Sequence, residues 1–161
     1  MILEILIAVL FVIMLGIGLI SIFRFAGYEK ISFKEAVDLT GNPIVTFYSG
    51  QKKLNFLLDT GANVSMINLD DLTGCKYEDT GEQMNNMGIE GQKKVLNISH
   101  IYLQYKDNLF EEDVLTSDLS AAFTGVKNVT GVTIHGILGT SFFTKYKYVL
   151  DFEEFVAYSK K

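Results

Sequence analysis

An aspartate at the end of an apolar run is where this chain first offers chemistry. Phe56 to Ile67 reads FLLDTGANVSMI, so Phe56, Leu57 and Leu58 lead straight into Asp59-Thr60-Gly61. Apolar neighbours make a carboxylate costly to place, because desolvation disfavours its charged form. Thr60 adds a hydroxyl that both donates and accepts, and Gly61 lets another backbone come close. The combination suits a carboxylate presented to a reaction. Asp, Thr and Gly are also ordinary turn residues, so the triplet by itself equally marks the end of a strand.

Two further segments bear on the choice. Far downstream, His135-Gly136-Ile137-Leu138-Gly139-Thr140-Ser141-Phe142-Phe143 sets a Gly-Ile-Leu-Gly run before a short helix-like stretch and the apolar strand Tyr148 to Phe152. Between the two motifs, Met84 to Gln92 carries Gly88-Ile89-Glu90-Gly91, a glycine-flanked apolar tip. In this order, over about residues 44 to 159, the chain resembles the retropepsin-like aspartic proteases, the single-domain relatives of retroviral proteases, which have bacterial members.

The resemblance implies a mainly β, closed acid-protease barrel with one or two short helices. It also implies that Asp59 is catalytic and that the chain supplies half of a site, because the DTG triplet occurs once. The working enzyme would be a homodimer whose two Asp59 carboxylates share one proton, a general property of aspartic-protease dyads. Thr60 would tie the two loops together, Gly61 would supply an amide near the carboxylates, and Ala62 would leave room beneath them. Ile137-Leu138-Gly139 would pack behind the loop in a structural role. Met87, Gly88, Ile89 and Gly91 would form a flap over an extended peptide substrate held as an added strand. Glu90 departs from a fully apolar or glycine tip. No cofactor is implied. Two other classes stay open: a catalytically silent binding or sensing module on the same fold, and a structural membrane protein.

The elements that must position these residues begin after a different kind of segment. The 161 residues are 48% hydrophobic, and from Ile5 to Phe23 a run of 19 carries no charge. A helix of that length spans roughly 28 Å at about 1.5 Å per residue, close to the hydrocarbon thickness of a bilayer. A cleaved signal peptide would want a basic start and a small-residue cleavage site, whereas Glu4 precedes this run. The reading is a single transmembrane anchor over 1–24, with residues 5–23 in the lipid bilayer, a juxtamembrane connector over 25–43, and the protease domain over 44–161. Arg24, Lys30 and Lys34 follow the span, so the positive-inside rule leans towards a cytoplasmic domain on the cell membrane.

Within the connector, Ser32-Phe33-Lys34-Glu35 has the form of a capping box for a helix over Phe33 to Leu39. Thr40-Gly41-Asn42-Pro43 ends it. Ile44 to Ser49 and Lys52 to Leu58 read as a hairpin across Gly50-Gln51. Ile101, Leu103 and Tyr105 alternate in a strand that turns through Lys106-Asp107-Asn108 into Leu109 to Thr116. Asp118 to Val126 reads as a helix with Ser117 as its N-cap, and Phe155 to Ser159 closes the chain as a strand.

The remaining features read as structural. Cys75 is the sole cysteine, which excludes an internal disulfide. A net charge of −5 argues against nucleic-acid binding, and there is no Cys/His cluster of zinc spacing. His135 reads as a hydrogen-bonded structural histidine. Glu111-Glu112-Asp113 reads as a solvated strand edge. The sequons at Asn63, Asn97 and Asn128 read as chance matches.

Overall fold

The computed structural model describes residues 30–87 and 93–159. Ten strands appear in chain order. They are β1 (Ile31–Ser32), β2 (Ile44–Ser49), β3 (Lys52–Leu58), β4 (Ser65–Asn68), β5 (Tyr77–Met87), β6 (Lys93–Tyr105), β7 (Asn108–Ser117), β8 (Gly136–Leu138), β9 (Tyr148–Asp151) and β10 (Val156–Ser159). The helices among the described residues are α1 (Lys34–Thr40), α2 (Ser120–Thr130), α3 (Thr140–Tyr146) and a single 3-10 turn at Leu69–Leu72. Three α-helices replace the one or two expected.

Six strands close into a barrel in the order β2-β3-β8-β4-β7-β6, sealed where Tyr48 of β2 pairs with Gln104 of β6. Strand β5 extends β6 as a long antiparallel ribbon, and β1, β10 and β9 form a separate three-stranded sheet. The β2–β3 hairpin has the expected bounds, with Ser49 opposite Lys52 and Ile44 opposite Leu57. Leu54, Phe56 and Leu58 point into the core, as period-two alternation requires.

The core is aromatic where the barrel meets α3. Phe47 meets Phe110 edge-on at 5.7 Å, and Phe142 lies 5.5 Å from Phe110 and 4.9 Å from Tyr146. Such tilted and edge-on pairs add to the burial of their large apolar area. Phe142 thereby pins the first turn of α3, directly after the Gly-Ile-Leu-Gly run. The barrel therefore fixes the position of that run.

The stretch read as a connector contributes to the fold. Ile31 and Phe33 are buried in the core, and the Phe33 amide donates to the Phe155 carbonyl at 3.0 Å. The capping box does not form: Phe33 occupies the cap position without a side-chain bond, and Ser32 ends β1. Ser32 Oγ accepts only a long 3.4 Å contact from the Lys34 amide. Gly41 stops α1 in the left-handed region at φ 72°, its N–H bonding the Val37 carbonyl, as a helix-ending glycine does. Helix α2 starts two residues later than expected. Asp118 Oδ1 accepts the Ser120 amide while Ser117 remains in β7.

Among the described residues no helix is long and apolar enough to cross a membrane. The expected anchor at 5–23 lies outside them, as do Gly88, Ile89 and Gly91 of the expected flap.

Candidate active site

Strand β3 delivers Asp59 to the barrel edge, and β8 receives it. Leu58 pairs in parallel with Leu138, and the Asp59 amide donates to the Leu138 carbonyl at 3.0 Å. Strand β8 lies between β3 and β4, antiparallel to the latter, so Met66 faces Ile137 and Ile67 faces Gly136. The loop 59–64 is thus held at both ends by one three-residue strand. Asp59 is half-buried there, and Thr60 and Gly61 are exposed. The Gly61 amide donates to Asp59 Oδ1 at 2.8 Å, and the Ala62 amide to the Asp59 carbonyl at 3.3 Å. One carboxylate oxygen is oriented by the loop's own backbone.

The turn after β8 grips the far side of the loop. The Thr140 amide donates to the Ala62 carbonyl at 2.8 Å, and the Ser141 amide to the Asn63 carbonyl at 3.2 Å. Thr140 Oγ1 reaches both carbonyls, at 3.2 and 3.0 Å. Gly139 must be glycine for steric reasons. A Cβ there would sit 2.6 Å from the Val64 carbonyl oxygen and 2.8 Å from that of Ala62, both rigid backbone. At Gly136 it would meet the Met66 carbonyl oxygen at 2.4 Å and the Phe56 ring at 2.5 Å. Both glycines of the Gly-Ile-Leu-Gly run are therefore places where another segment passes too close for any side chain.

His135 closes the approach to β8. Its Nδ1 accepts the Asn55 amide at 2.9 Å, its amide donates to the Asn55 carbonyl, and its carbonyl accepts the Asn68 amide. Burial pushes its pKa down, which keeps the ring neutral and Nδ1 free to accept. The structural reading of His135 stands. Cys75 likewise donates its thiol to the Asp71 carbonyl at 3.0 Å, and burial raises its pKa, the opposite of a reactive thiol.

The acidic triplet on β7 is different from its expectation. Glu111 and Asp113 are solvated, but Glu112 is 2% exposed and faces inward between Phe110 and Val114. Its Oε1 accepts from Ser65 Oγ at 2.8 Å and Ser141 Oγ at 3.0 Å. Burial raises its pKa from the ordinary 4.5, against the opposing pull of the two hydroxyls and Lys145. The alternation that sends Glu111 and Asp113 outward sends Glu112 in. That was the available signal, because Phe110 and Val114 share the face.

Met87 is the last described residue of β5, opposite Lys93 of β6. The hairpin expected to carry the flap is therefore present up to its tip. A cleft lined by Asn68, Asp71, Phe123 and Lys127 includes none of residues 59–65.

The retroviral aspartyl protease family model matches residues 39–151, well over half of the chain. Among solved structures, the EIAV protease complexed with the inhibitor HBY-793 is similar at 20% identity and a TM-score of 0.42, over 65% of this chain and 86% of that one. A retropepsin-like aspartic protease from Rickettsia conorii is similar at 14% identity and a TM-score of 0.48, over 83% and 91%. No curated protein matches. With the family match covering both the Asp59 loop and the Gly136–Gly139 strand beneath it, this chain belongs to the retroviral aspartyl protease family.

Proposed function

We propose that the protein is a membrane-anchored aspartic endopeptidase, active as a homodimer. The observation that carries this reading is the mounting of Asp59. Its carboxylate is half-buried, oriented by the Gly61 amide, and set on a loop fastened from below at both ends. A carboxylate so held on one chain needs a second to work as an acid–base pair, and a second copy provides it.

In the dimer one Asp59 is ionised and acts as general base on a bound water. The partner's Asp59 is protonated and polarises the scissile carbonyl. The water oxygen bonds to the carbonyl carbon, its proton passes to the base, and the resulting tetrahedral species collapses with proton transfer to the leaving amine. No covalent intermediate with the enzyme forms. Thr60 and Gly61, exposed in the single chain, face the partner loop, and Ala62 leaves space under the pair. The β5–β6 ribbon, with Met87, Gly88, Ile89 and Gly91 at its end, covers an extended peptide.

Residues 5–23 anchor the enzyme to the cell membrane, with the catalytic domain on the cytoplasmic side by charge bias. Association of two protomers costs rigid-body freedom, and confinement to a bilayer offsets part of that cost by raising local concentration. The substrates are then peptides or proteins near the membrane.

The test is incubation of the full-length chain in lipid nanodiscs with a diverse peptide library between pH 4 and 7, reading cleavage by mass spectrometry. Asp59→Asn is the control. Cleavage by the wild type alone supports the reading. A folded, dimeric wild type that cleaves nothing would point to a silent binding module. A shortened version starting at Ala36 is unsuitable, because it lacks the core residues Ile31 and Phe33.

A further inference from the structure

Below the Asp59 loop lies a side-chain network that the proposed reaction does not use. Its protons can be counted. The Gly139 amide donates to Ser65 Oγ at 3.2 Å, and the Ser65 amide donates to Ser141 Oγ at 3.2 Å. Each hydroxyl therefore offers a lone pair to an amide and is left with one proton to give. Both hydroxyls reach the same acceptor, Glu112 Oε1, at 2.8 and 3.0 Å. The 3.3 Å approach between the two hydroxyl oxygens is left without a proton of its own. A single carboxyl oxygen on β7 thus takes both hydroxyl protons and orients the Ser65 and Ser141 oxygens towards the Gly139 and Ser65 amides, beside the backbone bonds that Thr140 and Ser141 make to Ala62 and Asn63.

The surroundings favour this geometry. Glu112 shares its face with Phe110 and Val114, and α3 contributes Lys145, whose Nζ stands 3.9 Å from Oε2. Strand β4 contributes Ser65, whose Cα pairs with that of Val114. Asp113, the neighbouring carboxylate, points to the opposite, solvated face. An unpaired hydroxyl in such a place would cost more than a bond gained at the surface, so the acceptor is needed.

Resting on the aspartic-protease reading, we infer that Glu112 is a positioning residue for catalysis. By accepting from Ser65 and Ser141 it holds the Asp59 loop against the Gly139 turn, and so holds Asp59 in register with its partner across the dimer. Glu112 touches neither substrate nor Asp59; it acts through Ser65. A small displacement of a catalytic group is enough to reduce turnover by orders of magnitude.

The experiment compares full-length wild type, Glu112→Ala, Glu112→Gln and Ser141→Ala in nanodiscs, by peptide cleavage and by amide hydrogen exchange. Glu112→Ala is expected to lower kcat by about 10-fold or more with KM within about 2-fold, the signature of lost transition-state positioning. Exchange at the Gly139 and Ser65 amides should rise by about 10-fold, while Leu54 and Ile101 in the core stay protected. Glu112→Gln keeps a carbonyl oxygen for both hydroxyls and should restore kcat to within about 3-fold of wild type. Unchanged kcat and exchange in Glu112→Ala would overturn the inference. So would equal loss of protection at Leu54 and Ile101, or a Glu112→Gln no better than Glu112→Ala. Should Glu112→Ala not fold, Ser141→Ala must show the same selective exchange at Ser65, or the inference fails. Selective exchange in the variants together with no cleavage by the wild type would keep the network's hold on the loop and overturn the protease reading instead.

Discussion

Asp59 and Glu112 are carboxylates on adjoining parts of one barrel, and they are held in opposite ways. Asp59 follows the last residue of β3, half-buried, with a backbone amide on one oxygen. Glu112 sits within β7, buried on the face it shares with Phe110 and Val114, with serine hydroxyls on one oxygen. On the proposed function, the first meets substrate and a second copy of the chain. The second is built to be satisfied from within. On that reading, oxygen partners and exposure, rather than residue type, separate the reacting acid from the supporting one.

Four changes break or sharpen that contrast. Asp59→Asn should abolish peptide cleavage, a loss of about 10²–10⁴-fold or more. Thermal unfolding should shift little, because the Gly61 amide still finds an oxygen. Gly139→Ala strikes the point where the two acids' supports meet. The added Cβ, 2.6 Å from the Val64 carbonyl oxygen, should destabilise the fold by about 1–3 kcal/mol in denaturant titrations. Cleavage should fall with it, since the loop must shift to make room.

The third change is in pH. Burial raises the Glu112 pKa above its ordinary 4.5, with Asp113 adding to the rise and Lys145, Ser65 and Ser141 opposing it. A raised carboxyl contributes stability below pH 4.5, and that contribution is lost as pH rises through its folded value. The unfolding free energy of wild type relative to Glu112→Gln should therefore decline from pH 4 upward, as urea titrations at stepped pH would show. A difference independent of pH would refute a buried, titrating Glu112. The smallest effect is at the neighbours. Glu111→Gln, at a side chain 64% exposed, should change stability by less than about 0.5 kcal/mol. Its backbone bonds to Tyr146 and Lys145 do not involve the side chain.

Much of the frame was legible residue by residue. Alternation over Leu54, Phe56 and Leu58 places β3 correctly, and Gly50-Gln51 fixes its hairpin partner, because both signals are local. Helix starts were less legible. Ser32 and Ser117 are suitable caps, yet both are taken into strands β1 and β7, and pairing with distant segments outweighs a local cap. Alternation along β7 turns Glu112 inward from its two acidic neighbours, but nothing local shows that Ser65 and Ser141 converge on it.

The sequence by itself determined the mainly β character, the strand that carries Asp59, and the order of motifs that marks the family. These depend on periodicity and short-range turn chemistry. Only the tertiary structure decided that three residues of β8 would lie between β3 and β4, parallel to one and antiparallel to the other. It also decided that Gly136 and Gly139 would be crossing points, that Ile31 and Phe33 would join the core, and that Glu112 would lie under the Asp59 loop. Each of those is a contact between residues tens of positions apart. Loop closure and burial set such contacts jointly, and no window of neighbouring residues records them.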